Sequence, residues 1–197
     1  VQQIFESFIE SFLAQKVGVS EQFLNKVLAS QLKENLQNLF NQDKMKTAGT
    51  GNELMVHKDS SFRSDKIYWL EKDSTNTSEI EFFKLMDEFV VYLNETCYTG
   101  ITQYEFHYAL YEKGNLYKRH LDRFRNDDHR LFSMITYLNE DWIDGDGGEL
   151  KIYLPEGQTQ NISPTNGKSV FFRSNELEHE VLVTHKPRMS ITGWLKR

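Results

Sequence analysis

The hydrophobic pattern changes period partway along the chain, and this change limits the possible folds more than any other feature. Over the first 40 residues the apolar positions are Ile4, Phe5, Phe8, Ile9 and Phe12, then Phe23, Leu24, Val27, Leu28, Leu32, Leu36, Leu39 and Phe40. Residues three and four apart share a helix face, so two amphipathic helices are expected. Ser20 is the expected N-cap of the second, with Glu21 in its first turn. Ser78 followed by Glu81 reads as a capping box, opening a third helix with Ile80, Phe82, Phe83, Leu85, Met86, Phe89, Val90 and Leu93 on its apolar face. From Tyr104 the period becomes two: Tyr104, Phe106, Tyr108 and Leu110 alternate with Gln103, Glu105, His107 and Ala109, which is the pattern of a strand. Further strands are expected at 131–138, 149–154, 168–172, 179–183 and 189–195, with a tight turn at Asn166-Gly167. Short strands so spaced predict an α+β chain: a sandwich or barrel with helices on one outer face. The polar stretch 41–65, with Ala48-Gly49-Thr50-Gly51-Asn52 inside it, reads as a loop or loose hairpin.

Composition narrows the functional classes. With 197 residues, 39% of them hydrophobic, the chain can bury a full core as one domain spanning 1–197, residues 1–100 giving helical support plus a loop. A formal net charge of -6, without a cluster of Lys and Arg, argues against nucleic acid as a partner. The single cysteine, Cys97, allows no internal disulfide, reads as a small core residue and fits a reducing compartment. No apolar run reaches the roughly 18 to 20 residues of a membrane span, and no charged-then-apolar leader opens the sequence. A soluble, cytoplasmic, monomeric protein is expected.

In His120-Leu121-Asp122 the outer residues are one apart, so on a strand they project from one face and can share a metal ion. Such a triplet is common by chance and means little alone. A third ligand must come from a distant strand, and of the other five histidines only His179 sits at an expected strand start. Two imidazoles and one carboxylate leave coordination positions open, the arrangement used by non-haem iron(II) oxygenases. Arg188, nine residues after His179, falls on the next expected strand. Its planar fork matches a carboxylate bidentately, so it can anchor the far end of a dicarboxylic co-substrate whose keto-acid end chelates the metal. His57, His107, His129 and His185 read as solvated or strand-surface residues. The acidic run Asp144-Gly145-Asp146-Gly147-Gly148 lacks the terminal glutamate of a calcium loop and reads as a turn before a strand.

Several longer segments carry a resemblance: Tyr117-Lys118-Arg119-His120-Leu121-Asp122, Tyr137-Leu138-Asn139-Glu140-Asp141-Trp142, Gly147-Gly148-Glu149-Leu150, Pro155-Glu156-Gly157, Ser190-Ile191-Thr192-Gly193-Trp194 and Arg63-Ser64-Asp65-Lys66-Ile67-Tyr68-Trp69. With these the chain resembles the 2-oxoglutarate-dependent prolyl hydroxylases, in particular the animal oxygen-sensing enzymes and their bacterial counterparts. The resemblance implies a double-stranded β-helix, or jelly roll, at 101–197, with the N-terminal helices packed on its larger sheet. It implies His120, Asp122 and His179 as iron(II) ligands and Arg188 as the anchor of 2-oxoglutarate, assisted by the Tyr137 hydroxyl, with Tyr111 close to the co-substrate. Thr192 and Trp194, alternating with Arg188 on one strand, should face the same interior. Arg130 is implied to pair with Asp65 near the docking place of a protein substrate.

The implied reaction consumes dioxygen and 2-oxoglutarate, releases succinate and carbon dioxide, and hydroxylates a prolyl residue of a protein, with ascorbate as a reductant. In bacterial relatives a translation or ribosomal protein is the expected substrate. The polar stretch 48–65 is the expected cover of the substrate. Rival readings are hydroxylation of a free amino acid or other small molecule, a jelly roll that binds metal without turnover, and a zinc hydrolase, for which no water-activating glutamate motif is present.

Overall fold

The computed structural model describes residues 1–49, 59–122 and 129–197. Among them are three α-helices, α1 (Gln2–Gln15), α2 (Lys26–Asn41) and α3 (Thr77–Cys97), and eleven strands in two antiparallel sheets. The larger sheet runs β1 (Val17–Ser20), β9 (Ser169–Arg173), β6 (Arg130–Tyr137), β11 (Arg188–Lys196), β4 (Gln103–Tyr111), β3 (Lys66–Trp69) and β2 (Lys46–Thr47). The smaller runs β5 (Tyr117–His120), β10 (His179–Val181), β7 (Leu150–Tyr153) and β8 (Thr159–Ile162). This is the jelly roll, with the helices bracing the larger sheet.

Successive side chains of a strand point to opposite faces, and here both faces of the larger sheet are covered. On β4, Phe106, Tyr108 and Leu110 enter a core with Phe8, Leu32 and Phe89 of the helices, whereas Ala109 and Tyr111 enter a second core between the sheets. Strand β6 divides the same way, Phe132 and Met134 toward the helices, Ile135 and Tyr137 inward. Burying a large side chain in either core contributes on the order of 1.5–3 kcal/mol. The inward face is therefore held rigidly wherever it carries polar groups.

Three expectations about local structure are corrected. Ser20 caps no helix: it ends β1 opposite Ser169, and α2 starts later, where the Asn25 side chain accepts from Leu28 N–H at 2.8 Å. Pairing with β9 claims the residues that the helix reading assigned to a cap. The third helix is capped by Asn76, which accepts from the N–H groups of Ser78 and Glu79 at 3.0 and 3.2 Å, so Ser78 lies inside the first turn. Cys97 is exposed at the end of α3 rather than in the core. Strands β1 and β8 were not expected, and half of the expected cover, at 50–58, lies outside the described residues.

Candidate active site

Strands β5 and β10 pair so that His120 stands opposite His179, the two imidazole centroids 4.3 Å apart. Strand β5 stops at His120, and Asp122 joins the pair from the residues just beyond it. The Asp122 carboxylate lies 3.4 Å from His120 Nε2 and 3.5 Å from His179 Nε2, and potential ligand atoms of all three lie within 4.8 Å of one another. Each ring is oriented from behind. His120 Nδ1 sits 2.7 Å from the Lys118 carbonyl and His179 Nδ1 3.2 Å from the Leu177 carbonyl. A carbonyl can only accept, so each Nδ1 carries the proton and each Nε2 presents its lone pair to the cluster.

The carboxylate is oriented too: Ser133 Oγ donates to Asp122 Oδ2 at 2.7 Å and sits 2.9 Å from Ser174 Oγ. Burial works to raise the Asp122 carboxyl, but His179, His120 and the Ser133 hydroxyl outweigh it and hold the group well below the usual carboxylate range. Burial lowers the His179 imidazole to about 4, with Asp122 opposing and His120 assisting. An ionised carboxylate facing two imidazoles is the donor set that a divalent iron accepts. Sequence reading missed Ser133 and Ser174; a serine on the inward face of the otherwise apolar β6 and another just past the end of β9 were the available signal.

Arg188 opens β11 and is only 1% exposed. Its Nε donates to the Gly148 carbonyl at 2.8 Å, and its guanidinium carbon lies 5.1 and 5.0 Å from the ring centres of Tyr111 and Tyr137. Arg188 Nη2 and the Tyr137 hydroxyl are buried without a hydrogen-bond partner, and none of the ion pairs among the described residues involves Arg188. Burial pushes the Tyr137 hydroxyl up to about 12 against the pull of Arg188, and it raises the Tyr111 hydroxyl as well, so both remain protonated donors. A buried cation without a carboxylate is costly unless a ligand supplies one. Arg188 and Tyr111 share a cavity with His120, Asp122 and His179, and with Tyr137 beside the guanidinium they fit a co-substrate with one carboxylate at its far end.

Gly148 bears on this anchor directly. It adopts φ +65°, and a Cβ there would lie 3.1 Å from Arg188 Cδ and 3.0 Å from Thr184 Oγ1. Gly148→Ala is expected to displace the arginine and raise the Michaelis constant for the co-substrate about tenfold, with metal retention unchanged, since small misplacements of a positioning group are costly. Steady-state titration of the variant against wild type checks this.

Thr192 and Trp194 line the same cavity, on the face shared with Arg188. Asp65 lines it as well, but its expected partner is corrected: Arg63 forks onto it, Nε to Oδ1 at 2.7 Å and Nη2 to Oδ2 at 3.0 Å. Arg130 instead donates to Glu105 at 3.0 Å and stacks 3.5 Å over the Trp194 ring. Arg63 stands two residues before Asp65 in the chain, just ahead of β3, and so reaches it before a distant arginine can. Another correction concerns His107, expected on a strand surface: it is 1% exposed and lines the cavity. His129 and His185 bond the Arg197 and Gly145 carbonyls at exposed positions, and His57 lies outside the described residues.

A jelly roll that gathers two imidazoles, a carboxylate and a lone buried arginine on its inner face defines the layout of an iron(II) oxygenase that uses a dicarboxylic co-substrate. Comparison with known proteins agrees. Residues 106–196 match the model of the 2OG-Fe(II) oxygenase superfamily, whose members use iron(II), 2-oxoglutarate and dioxygen. It is 31% identical over 201 residues to human Egl nine homolog 1, covering 90% of this chain and 43% of that relative. The chain thus spans about half the length of the Egl nine homolog 1 relatives it matches. The crystal structure of a Pseudomonas putida prolyl-4-hydroxylase superposes with a TM-score of 0.91 at 29% identity, over 98% of this chain and 100% of that one. A Trichoplax adhaerens prolyl hydroxylase, solved with a hypoxia inducible factor peptide fragment, shares the fold with a TM-score of 0.87 at 23% identity, over 99% and 90% of the two chains.

Proposed function

We propose that the chain is a 2-oxoglutarate-dependent dioxygenase that hydroxylates a prolyl residue of a protein, with His120, Asp122 and His179 holding iron(II) and Arg188 binding the distal carboxylate of 2-oxoglutarate. The observation that carries this reading is a fully buried arginine with an unpartnered Nη2, beside an unpartnered tyrosine hydroxyl, in the cavity that also gathers the histidine and aspartate cluster. Iron(II) bound there supplies the redox chemistry, by which one atom of dioxygen enters succinate as carbon dioxide leaves and the other enters a substrate C–H bond.

The chain's own residues bind, orient and exclude water. Arg188 Nη2 and the Tyr137 hydroxyl donate to the distal carboxylate, and Tyr111 closes the other side of the guanidinium. Thr192 and Trp194 wall the cavity between that anchor and the metal cluster. The protonated Nδ1 atoms of His120 and His179 keep Nε2 turned to the metal, and Ser133 keeps the carboxylate turned the same way. The protein's contribution is positioning and shielding, the division of labour expected when a cofactor carries the hard chemistry.

The prolyl substrate is supported by the likeness to the Pseudomonas and Egl nine prolyl hydroxylases, and Arg130 and Asp65 are proposed to meet the protein near the cavity mouth. We place the activity in the cytoplasm, in a monomer, with a translation or ribosomal protein as the substrate and ascorbate as a reductant. Among the described residues no helix is long and apolar enough to cross a membrane, and the one cysteine offers no internal disulfide. Mass spectrometry of cellular proteins with and without the enzyme tests the reading: a gain of one oxygen on prolyl residues is expected. Oxidation of free proline or another small molecule, with no protein modified, would overturn it.

A further inference from the structure

Among the described residues, His107 is the one buried histidine that the proposed chemistry does not use. It lies in the middle of β4, opposite Thr192 of β11 and Trp69 of β3. Its ring packs against two indoles that also meet each other, with centroids 4.9 Å from Trp69 and 5.6 Å from Trp194, and 6.3 Å between the two indoles. It is 1% exposed and lines the same cavity as the metal cluster, yet neither Nδ1 nor Nε2 has a hydrogen-bond partner. Trp194 Nε1, in the same wall, is likewise buried and unpartnered. A buried sheet position packed against two indoles would be filled more stably by leucine or methionine, because an unpaired buried polar group is penalised in full. Three orphaned polar atoms side by side in a substrate cavity indicate that a ligand satisfies them.

We propose that His107 and the Trp194 indole form a specificity subsite that binds the peptide group next to the oxidised residue of a polypeptide substrate. This rests on the protein-substrate reading above and adds the groups that would recognise a polypeptide. The chemistry of the three atoms selects the ligand. Trp194 Nε1–H can only donate, so it requires an acceptor. A neutral imidazole offers one donor and one acceptor, so it can take an N–H. A peptide group presents one C=O and one N–H, and fills both roles. A carboxylate, such as a free amino acid carries, only accepts and would leave the imidazole's acceptor nitrogen empty. Burial and the neighbouring Arg63 lower the imidazole to about 3, so the ring is neutral at any working pH. Trp69 covers His107 in the substrate-free protein; it is 42% exposed at the end of β3, the side from which a chain can displace it.

The test uses the whole chain loaded with manganese(II) and N-oxalylglycine, which do not turn over, and a pool of random peptides with a central proline. Peptides retained by wild type are titrated by calorimetry against His107→Leu and His107→Gln. Affinity is expected to fall about tenfold or more in His107→Leu and to stay within about threefold in His107→Gln, which keeps a donor and an acceptor. An ester replacing the amide N–H that follows the proline should weaken binding to wild type and have no further effect in His107→Leu. The melting temperature of ligand-free His107→Leu should rise by roughly 3 °C, because an unpaired polar group leaves the core. Equal peptide affinity in wild type and His107→Leu, or a fall in its melting temperature, overturns the subsite and leaves the protein-substrate reading standing. A pool from which wild type retains no peptide overturns both.

Discussion

His179→Ala is expected to abolish substrate oxidation and to leave the protein unable to retain iron(II) through a desalting step. The ring is 3% exposed, its Nδ1 is tied to the Leu177 carbonyl, and its Nε2 lies 3.5 Å from the Asp122 carboxylate. Alanine removes one of three protein ligands and leaves a two-point site, for which affinity should fall by more than the roughly 10–100-fold typical of losing only a supporting partner. Turnover, which needs the ion held with open positions, should drop below detection. Equilibrium dialysis against manganese(II) separates the two effects, since it reads metal affinity without chemistry. Thermal melting without metal shows whether the variant remains folded. A folded variant with wild-type affinity for manganese(II) would remove His179 from the ligand set.

The second large effect is at the co-substrate anchor. Arg188→Lys keeps a cation but loses the planar fork, the Nε hydrogen bond to the Gly148 carbonyl and the contacts with Tyr111 and Tyr137. The Michaelis constant for 2-oxoglutarate should rise about 100-fold, equivalent to roughly 2.8 kcal/mol at one tenfold per 1.4 kcal/mol, while manganese(II) binding stays at the wild-type level. Arg188→Met should go further and dissociate function from stability. Removing a buried, incompletely paired cation relieves its desolvation cost, so the ligand-free variant should melt no lower than wild type. Saturating 2-oxoglutarate with manganese(II) should stabilise wild type by about 2.7 kcal/mol at 100 times the dissociation constant and leave the variant unmoved. If the co-substrate shifts both melting curves equally, another group anchors it.

Much of this site was legible in the sequence because it depends on short-range regularities. The switch to period two at Tyr104 marked β4, and the one-residue gap between His120 and Asp122 placed them together. The spacing from His179 to Arg188 put the anchor on the next strand of the jelly roll. The misreadings have a common physical cause, which is that long-range pairing decides between locally equivalent choices. Ser20 is as good a cap as Asn25 until β9 claims it as a strand end. Asp65 was matched to Arg130, but Arg63, two residues before it in the chain, reaches it first. His107 was taken for a surface residue because alternation usually separates a buried face from a wet one. In this larger sheet helices cover one face and the smaller sheet the other, so the polar side of the alternation is the active site. Ser133 and Ser174 stayed hidden for the same reason.

The central claim, that this inner face runs an oxidation coupled to 2-oxoglutarate, is tested most directly by the fate of isotopic oxygen. Purified protein is given iron(II), 2-oxoglutarate and heavy dioxygen, and the succinate is weighed by mass spectrometry in wild type and in Asp122→Ala. The account predicts succinate carrying one heavy oxygen atom from wild type, formed even without a protein substrate because Arg188 and the metal cluster suffice, and none above background from the variant. Unlabelled succinate, or the same labelled yield from Asp122→Ala, would contradict it.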